Sequence, residues 1–371
     1  MRIAQLVSAR VVNGAARHCL ALSAALAERG HQVLVAHRPG LEVGPLPPGV
    51  EALETSFQRS AREIGRVGQR LADFRAEVLH THMSSAHSYG ALLRAWRGAP
   101  VVATAHARHF QLHWMFNDRV IAPSASTAAY HRRVNLRLGP RIEVIPNFVD
   151  CAAIAPASAE QRTLARRGLD LADDALVIGS VADITSNKRP SDLVLASRDL
   201  LESRDEVVLL LIGGVLDPEE ATRVRRAAGG LDHRVRMLGR RADARQLLAA
   251  FDIFALASQS EEAPMSVLEA MAAGLPVLGT DVGGVGELVV SGETGFLVGA
   301  RNVEALGERL WRLAGDPTLR ARLGEAARRR AVDRFAETPI VDRLEAVLGE
   351  VAGLRPDWRR RFRSPPPLGH A

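Results

Sequence analysis

IFALASQSEEAPMSVLEAMAAGLPVLG, residues 253–279, reads as a complete strand, loop, helix and strand. The apolar run 253–258 has the length and composition of a strand buried on both faces, which is how strands of a parallel sheet look. Pro264 fits the first turn of the helix that follows, where its missing N–H costs nothing. A second apolar run, PVLGTD, then opens the next strand.

The same alternation extends in both directions. In the second half the strands are ALVIGSVAD, VVLLLIGG, RVRMLG, IFALAS, PVLGTD and TGFLVG; in the first they are RIAQLVSA, HQVLVAH, EVLHTH, PVVATAH, RVIAPS and IEVIPN. Helical patterns separate them, such as ARHCLALSAALAERG, which ends on Gly30. Each half is therefore expected to be α/β, a doubly wound sheet. The stretch 151–174 contains no strand and is the expected hinge. No internal repeat is visible. Beyond about residue 316 the chain is helical and arginine-rich, and it ends in WRRRFRSPPPLGHA, expected to be a mobile tail.

Length and composition agree with two domains. A chain of 371 residues exceeds one ordinary core, and 47% hydrophobic with 24% charged residues is a globular balance. The most apolar window, VVLLLIGGVL at 207–216, is shorter than the roughly 18 residues a membrane span needs. RIAQLVSARVV is interrupted by Arg10 and lacks the features of a signal peptide, so a cytoplasmic location is expected. Cys19 and Cys151, the only cysteines, are too few for a disulfide framework and read as buried thiols. The net charge of +6 is modest, and 4% aromatics leave few stacking platforms for nucleic acid. Of 48 basic side chains one alone, Lys188, is lysine.

In open α/β sheets, ligands sit at the C-terminal ends of strands. Glu261 lies in such a loop, and Glu269 lies in the second turn of the helix after it. Free N–H groups around Met265, Ser266 and Val267 would favour an anion, and a diphosphate is the natural guest. The two carboxylates would then accept hydrogen bonds from ribose and sugar hydroxyls. Taken singly, Glu261 equally suits a helix N-terminus and Glu269 a solvated helix face.

SEEAPMSVLEAMAAGLPV as a whole resembles the donor-binding segment of the family 4 glycosyltransferases, with its Glu-x7-Glu pair. GTDVGGVGELVVSGETGFLV at 279–298 is similar to that family too, as are NGAARH, HTHMSSAH, VATAHA, DRVIAPS, RIEVIPNFVD and GSVADITSNKRP along nearly the whole chain. The resemblance implies a GT-B fold, two Rossmann-like domains facing each other across a cleft. Residues 1–165 would bind acceptor, 166–335 would bind the nucleotide sugar, and 336–371 would return to the first domain. It implies a retaining enzyme that moves a sugar from a nucleotide diphosphate sugar to a hydroxyl acceptor, a glycan or lipid-linked one, without cofactor or metal. Lys188 then neutralises the departing diphosphate, for which a compact ammonium suits better than a planar guanidinium. Many family members have arginine at the position of Asp183, and Arg189 is the candidate replacement. His106 would orient the donor sugar without attacking it. Gly14 matches the second glycine of the first loop, Asn13 departs from the first, and asparagine tolerates unusual backbone angles. Arg17 and His18 open the next helix, facing either acceptor or solvent.

Other readings stay open. Histidines 80, 82, 87, 106, 109 and 113 crowd one span, which suggests a metallohydrolase. Against it, His80 and His82 are expected on opposite faces of their strand, and no carboxylate pattern completes a site. VGGVGE, 282–287, is not a dinucleotide fingerprint. A nucleotide-sugar epimerase and a noncatalytic sugar-nucleotide binder share the donor site. Arg355, Arg359, Arg360, Arg361 and Arg363, with Trp358 and Phe362, would hold the tail either in solvent or on the inner face of an anionic membrane.

Overall fold

The computed structural model describes residues 1–135 and 141–354, so the basic tail lies outside the described residues. The chain divides into two compact units, Met1–Asn147 together with the chain from Thr338, and Phe148–Glu337.

The first unit runs β1 (Arg2–Val7), α1 (Gly14–Glu28), β2 (Gln32–His37), β3 (Val50–Glu54), α2 (Ala61–Asp73), β4 (Val78–His82), α3 (Ser84–Arg97), β5 (Val101–Thr104), β6 (Arg119–Ala122), α4 (Ala125–Val134) and β7 (Arg141–Val144). Its seven strands lie in the order β3-β2-β1-β4-β5-β6-β7, all parallel. Burial follows the sequence: every residue of β4 and β5 is buried, and Leu6, Leu34, Leu79 and Val101 share one core with Val67 and Leu71 of α2. Glycine punctuates as expected, since Gly30 after α1 has φ 82°. The strand missing from the sequence reading is β3. It lies at the sheet's edge with Glu51 and Glu54 exposed, so it lacks the continuous apolar run that marks its neighbours.

The second unit runs α5 (Ala159–Arg167), β8 (Leu176–Val181), α6 (Pro190–Ser203), β9 (Val207–Ile212), α7 (Pro218–Ala228), β10 (Val235–Gly239), β11 (Ile253–Leu256), α8 (Met265–Ala272), β12 (Val277–Thr280), α9 (Val285–Leu288), β13 (Gly295–Val298), α10 (Val303–Gly315) and α11 (Pro317–Phe335). These are the six expected strands, parallel in the order β10-β9-β8-β11-β12-β13. All of β9 is buried, and its Leu209 and Leu211 share a core with Leu193 and Leu200 of α6 and Val224 of α7.

Residues 148–165 belong to the second unit, so its boundary falls at 147/148 rather than 165/166, and the strand-free stretch is not a loose hinge. Arg328 of α11 donates to the Cys151, Ile154 and Ala272 carbonyls, each at 2.6 Å. Arg162 and Arg166 of α5 both bond the Asp252 carboxylate. Polar side chains make these ties, and apolar periodicity does not register them. Cys19 is buried, which pushes its thiol up to about 12, whereas Cys151 is only half-buried. The last helix, α12 (Glu337–Gly353), packs within the first unit: Asp342 and Glu345 pair with Arg29, and Glu350 with Arg119.

Candidate active site

Each sheet has one point where the strand order reverses, between β1 and β4 and between β8 and β11. Ligands of doubly wound sheets bind at the C-terminal ends of such strands.

At the second switch point, two loops are tied together by backbone before any charge is considered. After β8, the Lys188 and Arg189 amides both donate to the Thr185 carbonyl at 3.0 Å. Asn187 then bridges to the loop after β11: its carbonyl accepts from the Gln259 amide at 2.7 Å, and its Nδ2 donates to the Ser260 carbonyl at 3.0 Å. This cross-link brings the Lys188 ammonium into an ion pair with Glu261 Oε1, which also accepts from the Ser258 hydroxyl at 2.6 Å. Glu261 is 7% exposed, while the Lys188 side chain keeps 27% of its surface in solvent. A cation compensated from below and open above is suited to an incoming anion.

Three expectations change here. Pro264 precedes α8 rather than opening it, and the Val267 amide is used by the Pro264 carbonyl at 3.2 Å, leaving Met265 and Ser266 as the residues ahead of the helical ladder. Glu269 is no solvated face: it is 2% exposed and accepts from Arg245 Nε at 2.7 Å. Arg189, which precedes α6, is committed to Asp192 in the first turn of that helix through bonds of 2.6 and 2.9 Å. The guanidinium that meets Asp183 is Arg240, just past β10, at 2.8 Å. Gly214 makes this fit possible. Its N–H donates to the same Asp183 oxygen at 2.9 Å, and a Cβ on Gly214 would stand 2.9 Å from the Arg240 guanidinium. Sequence reading missed Arg240 because nothing in its neighbourhood marks one arginine among many.

At the first switch point, Asn13 caps α1 by accepting from the Ala16 amide at 3.0 Å. Its φ is −119°, so capping, and not tolerance of a left-handed backbone, is what asparagine supplies there. Gly14 starts the helix and Arg17 is half-buried. His18 turns inward, 2% exposed, with its ring 5.5 Å from that of His106 and 5.9 Å from that of His82. His82 Nδ1 lies 2.9 Å from His106 Nε2, and His82 Nε2 lies 2.9 Å from Gln5 Oε1. His80 and His82 share a face, ring centroids 4.3 Å apart, as the two-residue repeat of a strand requires and contrary to the sequence expectation. Burial holds His18 at about 4, His80 at about 3, and His82, His87 and His106 well below the ordinary histidine value; neighbouring imidazoles add to the lowering in all but His18. His109 is exposed and stands outside this cluster. Among the described residues, no group of three or more His, Cys, Asp or Glu is arranged to hold a metal ion, and no helix is long and apolar enough to cross a membrane.

Two doubly wound units, one with a cation–carboxylate pair across its switch point, define an α/β protein. Comparison with known proteins is specific. The model of glycosyltransferase family 4 matches residues 12–153, and that of glycosyl transferases group 1 matches residues 161–330. The chain is 32% identical over 324 residues to a D-inositol 3-phosphate glycosyltransferase of Actinosynnema mirum, covering 77% of this chain and 76% of that one. Over 218 residues, 56% of each chain, it is 31% identical to a GDP-mannose-dependent monoacylated α-(1-6)-phosphatidylinositol monomannoside mannosyltransferase of Corynebacterium glutamicum. In structure it resembles Anabaena HepE solved with UDP-glucose, with a TM-score of 0.84 at 23% identity, covering 94% of this chain and 100% of that one. The chain belongs to the family 4 glycosyltransferases, with two Rossmann-like halves of the GT-B kind, and is an enzyme of the glycosyltransferase class.

Proposed function

We propose that the enzyme takes its sugar from a nucleoside diphosphate donor held at the β8/β11 switch point and transfers it, with retention, to a hydroxyl of a cell-surface glycan or glycolipid precursor. The observation that carries this reading is the Lys188–Glu261 pair, built by two cross-linked loops beside the first turn of α8. In the proposed reaction Lys188 and the α8 N-terminus stabilise the leaving diphosphate, Glu261 and His106 hydrogen-bond the transferred sugar, and Glu269 the ribose. Asn13, Gly14 and Arg17, at the start of α1, face the acceptor or a phosphate in this reading. The anomeric C–O bond to the diphosphate breaks as the acceptor oxygen bonds the same carbon, and the acceptor proton leaves on the diphosphate. No metal is required, because the ammonium supplies the positive charge. Relatives named for D-inositol 3-phosphate and for a phosphatidylinositol mannoside support a phosphorylated or lipid-linked acceptor. A location at the inner face of the membrane follows from that acceptor class.

Calorimetry with UDP, GDP and ADP in EDTA, on wild type and Lys188→Met, tests the donor site. One nucleotide should bind selectively, and the variant should bind it at least about tenfold more weakly, the loss of one charge-assisted contact. Equal binding by both proteins, or binding that EDTA abolishes, would sink the reading. NMR of the product's anomeric proton tests retention.

A further inference from the structure

The first unit contains a cavity of about 480 Å³ at the C-terminal side of its sheet, within the range of small-ligand sites. It lies between α3 and the turn Leu112–Phe116, and the loop before α2 reaches it through Arg59. Its walls are of two kinds. Ala91, Leu92, Ala95, Leu112 and Phe116 form an apolar wall, with Leu112 67% and Phe116 47% exposed, a large apolar surface for solvent to wet. Trp96, four residues beyond Leu92 on α3, and Met115 in the turn are exposed as well.

The other wall carries charge. Arg59 donates to Ser88 Oγ at 3.2 Å and pairs with no carboxylate among the described residues. Ser88 Oγ is in turn 3.1 Å from His113 Nδ1, and His113 Nε2 is buried without a hydrogen-bond partner among the described residues. A guanidinium free of carboxylates is suited to a phosphate, whose oxygens match its donor fork. A sugar does not suit the opposite wall, since its hydroxyls would be desolvated there without partners. An alkyl chain does.

We infer that this cavity binds the first segment of an alkyl chain and the adjoining phosphate of a lipid-phosphate acceptor, with Leu92, Leu112 and Phe116 holding the chain and Arg59 the phosphate. The inference rests on the proposed glycosyl transfer and gives the acceptor its chemical class. It places the acceptor's lipid end in the first unit, on residues outside the family motifs.

The test is calorimetric titration of the full chain with octyl, nonyl and decyl phosphate below their micellar concentrations, beside decanol and inorganic phosphate. Alkyl phosphates should bind saturably, tightening about three- to fourfold per methylene, as burial of one CH2 implies. The exposed-site variants Leu112→Asn with Phe116→Ser, and separately Leu92→Gln, should weaken decyl phosphate by about tenfold or more. Arg59→Gln should weaken decyl phosphate and leave decanol unchanged. Absence of saturable binding to wild type, or unchanged binding in both apolar variants, overturns the assignment. So does equal binding of wild type and variants to phosphatidylglycerol vesicles without binding of monomeric alkyl phosphate, which would indicate a surface contact. A parallel UDP titration separates the two claims: wild type that binds UDP and no alkyl phosphate refutes this cavity alone, and the reverse refutes the donor site alone.

Discussion

At the scale of single residues, the lone lysine and the misplaced arginine are one electrostatic problem. In the proposed donor site Lys188 follows the phosphate oxygens as they leave, and Glu261 and the cross-linked loops hold the ammonium in place. A guanidinium in its place would carry the charge with a different shape, so Lys188→Arg should fail to restore the UDP affinity that Lys188→Met loses. Recovery to wild-type affinity by calorimetry would show that charge alone matters. Asp183 stands where the family resemblance implies arginine, and Arg240, just past β10, brings a guanidinium to it, braced by Asp183 and by the open surface of Gly214. If Arg240 serves the diphosphate, Arg240→Ala weakens UDP roughly fivefold or more, within the worth of one charged hydrogen bond. Asp183→Arg in that background then restores most of the loss. Unchanged affinity in Arg240→Ala would reduce the pair to a surface salt bridge. Lys188, Glu261 and Glu269 could be singled out because their types and spacings are rare; Arg240 could not, because its contact with Asp183 joins two loops and its own segment is ordinary.

At the scale of elements, most strands were readable because burial on both faces forces an apolar run. β8, β9, β11 and β12 are buried almost throughout, and each was visible. β3 was not, because an edge strand with exposed glutamates has no such run. The fixing of 148–165 to the second unit was hidden for a related reason: arginine–carbonyl and arginine–aspartate bonds do it, and these have no period. The glycine in β8 shows how tightly such a strand is packed. A Cβ on Gly179 would lie 2.0 Å from the Phe251 ring, an overlap that flexibility of the ring's own side chain cannot fully relieve. Gly179→Ala should therefore destabilise the second unit by at least about 1–3 kcal/mol, the usual cost of overpacking. A lowered urea midpoint with UDP present would register it, and Phe251→Leu in the same chain should recover part of the loss. No change in midpoint would mean that the sheet yields more easily than its packing indicates.

At the scale of the whole molecule, two similar sheets carry very different titrating interiors, which the sequence hinted at only as a crowd of histidines. The first unit buries His18, His80, His82 and His87 around its switch point, with their neutral forms favoured by desolvation. The second unit's one histidine is His233, which is exposed. Because folded pKa values such as about 4 for His18 and about 3 for His80 lie below the unfolded value of 6.5, the unfolded chain binds more protons as pH falls. The stabilising effect is therefore complete above pH 6.5 and is lost progressively as pH drops toward those folded values. For His18 alone the full swing is on the order of 3 kcal/mol. Carboxylates interfere little at the start of this window: Glu63, held at about 2 chiefly by its bond to Arg66, contributes its own loss only below the ordinary carboxylate range. The two units should thus separate on mild acidification. Hydrogen exchange at pH 7 and pH 5, corrected for intrinsic rate, should show β1, α1 and β4 losing protection while β8, β9 and β11 keep theirs, and UDP binding should outlast the opening of the first unit's core. Equal loss in both sheets would mean that the units unfold as one cooperative block; no loss in the first would mean that the histidine cluster takes up protons without opening, as a site already open to water would.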